Sequence, residues 1–128
     1  MPIKDQVTNL ELSKELSRLL GDKAPESAFY WNIKSKKITR RKTRKEYKHY
    51  ISESGSDEEE IKVYNNIPAY SVPELFVILP KEYNLNRIGD HFGIIYENNL
   101  CQEIFEKNPA NAMARMAIYL IKNGIIKL

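Results

Sequence analysis

The sequence predicts an α+β fold, a small, mostly antiparallel or mixed sheet with three helices packed on it. Three observations lead there. Helical periodicity bracketed by capping residues recurs in three separate segments. Two apolar runs flank Asn98-Asn99, a pair that suits a tight turn because Asn tolerates positive φ. The element order of helix, strand, charged insert, helix, strand, strand, helix lacks the regular alternation of a parallel α/β sheet.

Thr8-Asn9-Leu10-Glu11 has the form of a capping box. Leu12, Leu16, Leu19 and Leu20 follow at helical spacing, and Gly21 stands where a C-cap belongs, so a helix is expected over 9–20. In 28–34, Phe29, Trp31 and Ile33 alternate with Tyr30, Asn32 and Lys34, which reads as a strand. Trp31 is the only tryptophan and is expected in the core, facing the last helix near Met116 or Leu120.

Ser71-Val72-Pro73-Glu74 is a second capping box, with proline in the first turn where its missing N–H costs nothing. Pro80 ends that helix at 79. Strands are expected over 92–97 and 100–105, in a register that sets Cys101 opposite Tyr96 and His91 opposite Glu106. Asn108-Pro109 opens the last helix, 109–123, with Met113, Met116, Ala117 and Leu120 as its apolar stripe and Gly124 as its C-cap. Ile125, Ile126 and Leu128 are expected to fold back on the body.

The 128 residues suit one domain, 1–128, with a charged insert at about 34–60. At 42% hydrophobic and 29% charged residues, the chain can build a core and does not read as disordered. No apolar run reaches the ~18 to 20 residues a membrane helix needs. Met1 to Thr8 lacks a signal-peptide core, and a lone cysteine, Cys101, fits a reducing compartment. The expectation is a soluble, cytoplasmic protein with no membrane partner.

Charge is the most uneven property of the chain. Lys34 to Lys48 holds nine basic residues and one acidic one, Glu46, which gives the segment +8 within a net charge of +3. Five acidic residues follow at once: Glu53, Asp57, Glu58, Glu59 and Glu60. A hairpin turning near Gly55 would lay the acidic run against the basic arm and cancel much of its field. A free loop would keep the arm available for polyanions. Clustered cations with nearby aromatics are what single-stranded nucleic acid requires. The candidate contacts are Lys36, Lys37, Arg40, Arg41, Lys42, Arg44, Lys45 and Lys48, with Tyr47 and Tyr50.

Other chemistries find little support. A nucleophilic Cys101 needs a base within reach, and the expected register puts His91 about 17 Å away along the strands. The spacings of His, Cys, Asp and Glu match no metal motif, so no metal is expected. The glycines at 21, 55, 89, 93 and 124 are scattered and form no phosphate loop, so no cofactor is expected either.

Three segments carry a resemblance. They are Glu26-Ser27-Ala28-Phe29-Tyr30-Trp31, then Ile67-Pro68-Ala69-Tyr70-Ser71-Val72-Pro73-Glu74-Leu75-Phe76-Val77-Ile78-Leu79-Pro80, then Asn111-Ala112-Met113-Ala114-Arg115-Met116-Ala117-Ile118-Tyr119-Leu120-Ile121-Lys122-Asn123-Gly124. In this order they resemble small uncharacterised phage and prophage proteins. The resemblance implies a mobile-element origin and a compact α+β fold, and it implies no activity. The 34–60 insert is longer and more charged than that pattern.

Three functional readings stay open. The first is a phage-related accessory protein acting as a non-enzymatic binding or interaction module, with a phage or host protein, or a second copy of itself in a homodimer, as partner. The second is nucleic-acid binding through the arm 34–48. The third is an enzyme without a recognisable motif.

Overall fold

The computed structural model describes residues 2–80, 83–89, 91–96 and 102–128. Its elements are α1 (Leu10–Leu20), β1 (Tyr30–Asn32), β2 (Lys37–Thr39), β3 (Thr43–Ile51), β4 (Asp57–Asn65), β5 (Ile67–Pro68), α2 (Val72–Ile78), β6 (Tyr83–Ile88), β7 (His91–Tyr96), β8 (Gln102–Glu106) and α3 (Pro109–Lys122). The class is α+β, and the strand pairings described are all antiparallel. The strands do not join in one sheet as expected. They form three: β2-β1-β5, β3-β4 and the meander β6-β7-β8.

Helix α3 is the centre of the core. Ala110, Ala112, Met113, Ala114, Met116, Ala117, Ile118 and Leu120 are buried, so it is apolar on most of its circumference, as a helix covered by neighbours on several sides must be. Leu16 and Leu20 of α1, Leu75 of α2 and Ile94 of β7 close on it, and both Met residues act as core filler. Asn108 caps α3, its Oδ1 accepting from the N–H groups of Ala110 and Asn111. After Lys122 the chain turns at Gly124, whose φ of 72° suits a residue without Cβ. Ile125 and Ile126 pack back on the core as expected.

Asn9, rather than Thr8, caps α1; its Oδ1 accepts from Leu12 N–H at 2.8 Å. Glu11 does not reach back to close a box. The Thr8 N–H, which such a box would engage, donates instead to Tyr70 O at 2.9 Å, and the Asn9 N–H donates to Asn111 Oδ1 of α3 at 2.8 Å, so tertiary contacts replace the local one. Thr8 is buried and shares a 2.6 Å hydrogen bond with Ser13.

Trp31 departs from expectation. Tyr30 is the buried residue of β1, at 5% exposure, while Trp31 is half-buried and outside the cluster around α3. The indole Nε1 donates to Thr8 O at 2.8 Å. Strand β1 pairs with β2 and β5 rather than with the C-terminal strands, so the alternation of 28–34 faces a different neighbour from the one assumed.

In the C-terminal meander, Tyr96 stands opposite Gln102 and Phe92 opposite Glu106, one residue away from the expected register. Strand β8 starts at Gln102. The expected Asn98-Asn99 turn, Cys101 and Asp90 lie outside the described residues. The six residues of β6 escaped the sequence reading, because Asn84 and Asn86 dilute their strand signal.

The insert is a hairpin. Strands β3 and β4 pair over nine residues, and the Ser52–Ser56 loop closes with Ser52 N–H donating to Ser56 O at 2.9 Å. Gly55, at φ 83°, supplies the left-handed turn. Among the described residues the ribbon joins no other sheet, and β4 is exposed along its whole length.

Candidate nucleic-acid interface

The ribbon is attached to the body through a short, strongly basic link, Arg40-Arg41-Lys42, between β2 and β3. Adjacent cations repel, so the link needs an anchor, and Asn66 provides it. The Asn66 N–H donates to Lys42 O at 2.8 Å, and Asn66 Nδ2 donates to Arg41 O at 2.9 Å. The Arg41 N–H donates to Thr39 Oγ1 at 3.2 Å. These bonds fix the backbone from which Arg41 and Lys42 project.

A concavity of about 670 Å³ opens at this joint. Arg41, Lys42, Arg44 and Lys45 line it, with Tyr47 at the ribbon side and Asn32, Thr39, Thr43 and Asn66 as neutral polar walls. Lys42 is bonded to Glu26 at 3.1 Å. Arg44 lies over the Tyr64 ring, 4.6 Å from its centroid, with Nε 3.7 Å from Glu46. Arg41 and Lys45 form no ion pair with any described residue. Glu46 is also bonded to Lys34 at 3.1 Å, and this ammonium, with Arg44 beside it, holds the carboxyl below the usual carboxylate range.

The register of the ribbon decides which cations keep their field. Arg44 and Lys45 stand opposite Tyr64 and Val63, which carry no charge. Lys48 stands opposite Glu60, His49 opposite Glu59 and Tyr50 opposite Glu58. Acidic residues therefore stand opposite the outer positions, whereas in the inner half Lys42 and Arg44 are paired with Glu26 and Glu46, and Arg41 and Lys45 form no ion pair with any described residue. A hydrogen bond to Glu58 raises the pKa of the Tyr50 phenol above its ordinary value.

Of the residues expected to bind nucleic acid, the structure brings Arg41, Lys42, Arg44, Lys45 and Tyr47 to one cavity. Lys36 sits in the β1–β2 turn, Lys37 opens β2 and Arg40 lies over the Phe29 ring, 5.5 Å from its centroid; none of the three lines the cavity. Lys48 and Tyr50 lie further out, opposite Glu60 and Glu58. Asn32, Thr39, Thr43 and Asn66 were not foreseen, because a neutral polar side chain carries no sign of its surroundings until the strands are paired.

Successive residues of a strand face opposite ways, so the ribbon has two unlike faces. One carries Tyr47, Ile51, Ile61 and Val63, at 62%, 73%, 54% and 59% exposure, with Lys45 at the base and Asp57 and Glu59 at the tip. The other carries the Arg44–Tyr64 stack and charged pairs. Among the described residues, no group of three or more His, Cys, Asp or Glu could hold a metal ion, and no helix is long and apolar enough to cross a membrane. Comparison with family models, with curated proteins and with solved structures finds no significant match.

Proposed function

We propose that this chain is a non-enzymatic accessory protein of phage type that binds nucleic acid through the basic concavity at the base of its ribbon. One observation carries the reading: Arg41 and Lys45, which form no ion pair with any described residue, line one concavity together with Lys42, Arg44 and an exposed Tyr47. Grouped cations release counterions when they meet phosphates, and that term supplies most of non-specific affinity. Tyr47 adds a face on which a base can stack.

The test is fluorescence anisotropy with labelled DNA and RNA from about 50 to 200 mM salt. Log affinity should fall linearly with log salt, and Arg41→Gln with Lys45→Gln should flatten the slope by about 1 to 2. Lys48→Gln, beside Glu60, should flatten it much less. No binding at about 50 mM salt, where screening is weak, would overturn the reading.

A second reading rests on the apolar face of the ribbon. Two-stranded hairpins are marginal alone in water, and an apolar face of this kind is a place for a protein to dock. A second copy fits its charge pattern. Turned end to end about a two-fold axis, two faces would set Asp57 and Glu59 of one against Lys45 of the other. Sedimentation of a dimer that Ile61→Asp dissociates would favour this reading; a monomer at all concentrations would remove it.

A further inference from the structure

We infer that the acidic ribbon tip of a second copy seats on the basic concavity, so that self-association and nucleic-acid binding exclude one another. This rests on the nucleic-acid reading above and gives the docked second copy a part in regulating it.

The two faces of the ribbon treat their charges differently. On the face with Tyr64, every acidic residue has a partner within the chain: Glu46 meets Arg44, Glu60 meets Lys62 and Glu58 bonds Tyr50. On the apolar face, Lys45 at the base and Asp57 and Glu59 at the tip form no ion pair with any described residue. An open cation at one end, open acids at the other and exposed apolar side chains between make a surface complementary to itself, as a two-fold interface must be.

Counted from the base, the residue pairs on this face are Thr43–Asn65, Lys45–Val63, Tyr47–Ile61, His49–Glu59 and Ile51–Asp57. A two-fold axis through the Tyr47–Ile61 pair, normal to the face, lays that pair on its own copy. It brings Glu59 of the second copy to Lys45, and Asp57 of the second copy to Thr43. Thr43, Lys45 and Tyr47 all line the concavity. Carboxylates then stand where phosphates would, and Tyr47 is covered against stacking by a base. Nine residue steps and two strands make each face about 30 Å by 10 Å. Two such faces bury less than the ~1,200 Å² of a standard interface, so the dimer is transient and a polyanion can displace it.

The experiment sediments the full-length protein over a wide concentration range, alone and with labelled DNA and RNA. The protein should dimerise weakly, and bound nucleic acid should convert dimer to monomeric complex. Apparent affinity should fall as protein concentration passes the dimer midpoint, because the two equilibria are linked. Ile61 lies outside the cavity lining. Ile61→Thr should therefore remove the dimer and the concentration dependence while leaving the affinity of dilute protein unchanged. Lys45→Glu or Glu59→Lys alone should weaken the dimer about tenfold through two symmetry-related charge pairs. The double reversal should restore it; a double variant no better than the singles overturns the contact. Nucleic acid bound to intact dimer, or affinity independent of protein concentration while a dimer forms, overturns the competition alone. A monomer at every concentration overturns it too and leaves the nucleic-acid reading standing. Binding of no oligonucleotide at any protein concentration overturns both.

Discussion

The Ala28 N–H donates to the Glu74 carboxylate at 2.9 Å, across 46 residues of chain. The same carboxylate accepts from Ser27 Oγ and from the Ser71 N–H, each at 2.9 Å. The residue that closes the capping box of α2 therefore also fastens the entry to β1. Glu74→Ala should lower stability by about 2 to 4 kcal/mol, because it strips several donors of one charged acceptor. Glu74→Gln, which keeps an acceptor oxygen, should cost less. Urea denaturation measures both, and a loss under about 0.5 kcal/mol for the alanine variant would remove the joint.

Trp31 and Met116 should behave differently. Trp31→Phe loses the indole bond to Thr8 O and little packing around α3, so about 1 kcal/mol is expected. Met116→Ala empties a fully buried position in the centre of the core and should cost about 2 to 5 kcal/mol. Parallel denaturant melts would rank them, and a larger loss at Trp31 would reverse the assignment of the core.

Tyr70 gives the protein a limit on the alkaline side. Its hydroxyl donates to Pro25 O, and burial, with Glu74 nearby, pushes its pKa well above the ordinary tyrosine value. The folded state thus favours the neutral phenol. The stability this provides is complete below pH 10 and drains away as pH rises through the folded pKa, because the unfolded chain ionises first. Spectrophotometric titration should show one tyrosine ionising only with unfolding. Tyr70→Phe should lose the bond at neutral pH and show a shallower alkaline decline; an unchanged decline would place its cause elsewhere.

The ribbon should be separable from the body. Glu46 and Lys62 stand opposite one another, so replacing residues 47–61 with Asn-Gly closes the hairpin between them. The core contains no residue of that segment, and the change in stability should stay within about 1 kcal/mol. Amide exchange should be fastest in the outer ribbon and slowest in α3. A variant that no longer folds would show that the body depends on the ribbon.

The helices were legible in the sequence because each carries its own punctuation. Ser71 with Glu74, and Asn108 with Pro109, mark starts that depend on neighbours in sequence. What failed depended on partners far along the chain. Thr8 looks like a cap until Asn111 arrives to bond Asn9. Trp31 looks like a core residue until β1 pairs with the insert and with Ile67–Pro68. The cations of the interface were visible as composition. Their division into those that stand opposite uncharged residues and those that stand opposite acidic ones was not, since it follows from a register that one residue of slip would rewrite.

That division along the ribbon sets how the molecule approaches another charged body. Lys45 and the Glu59 tip position are separated by four residue steps, ~13 Å. A negative surface attracts the first and repels the second, and the two forces form a couple. The molecule is turned base-first before contact, which reduces the rotational part of the encounter and ties its rate to ionic strength. Reversing Lys45 would weaken this torque as well as the contact. Association rates would then respond to the substitution at separations where no bond has yet formed.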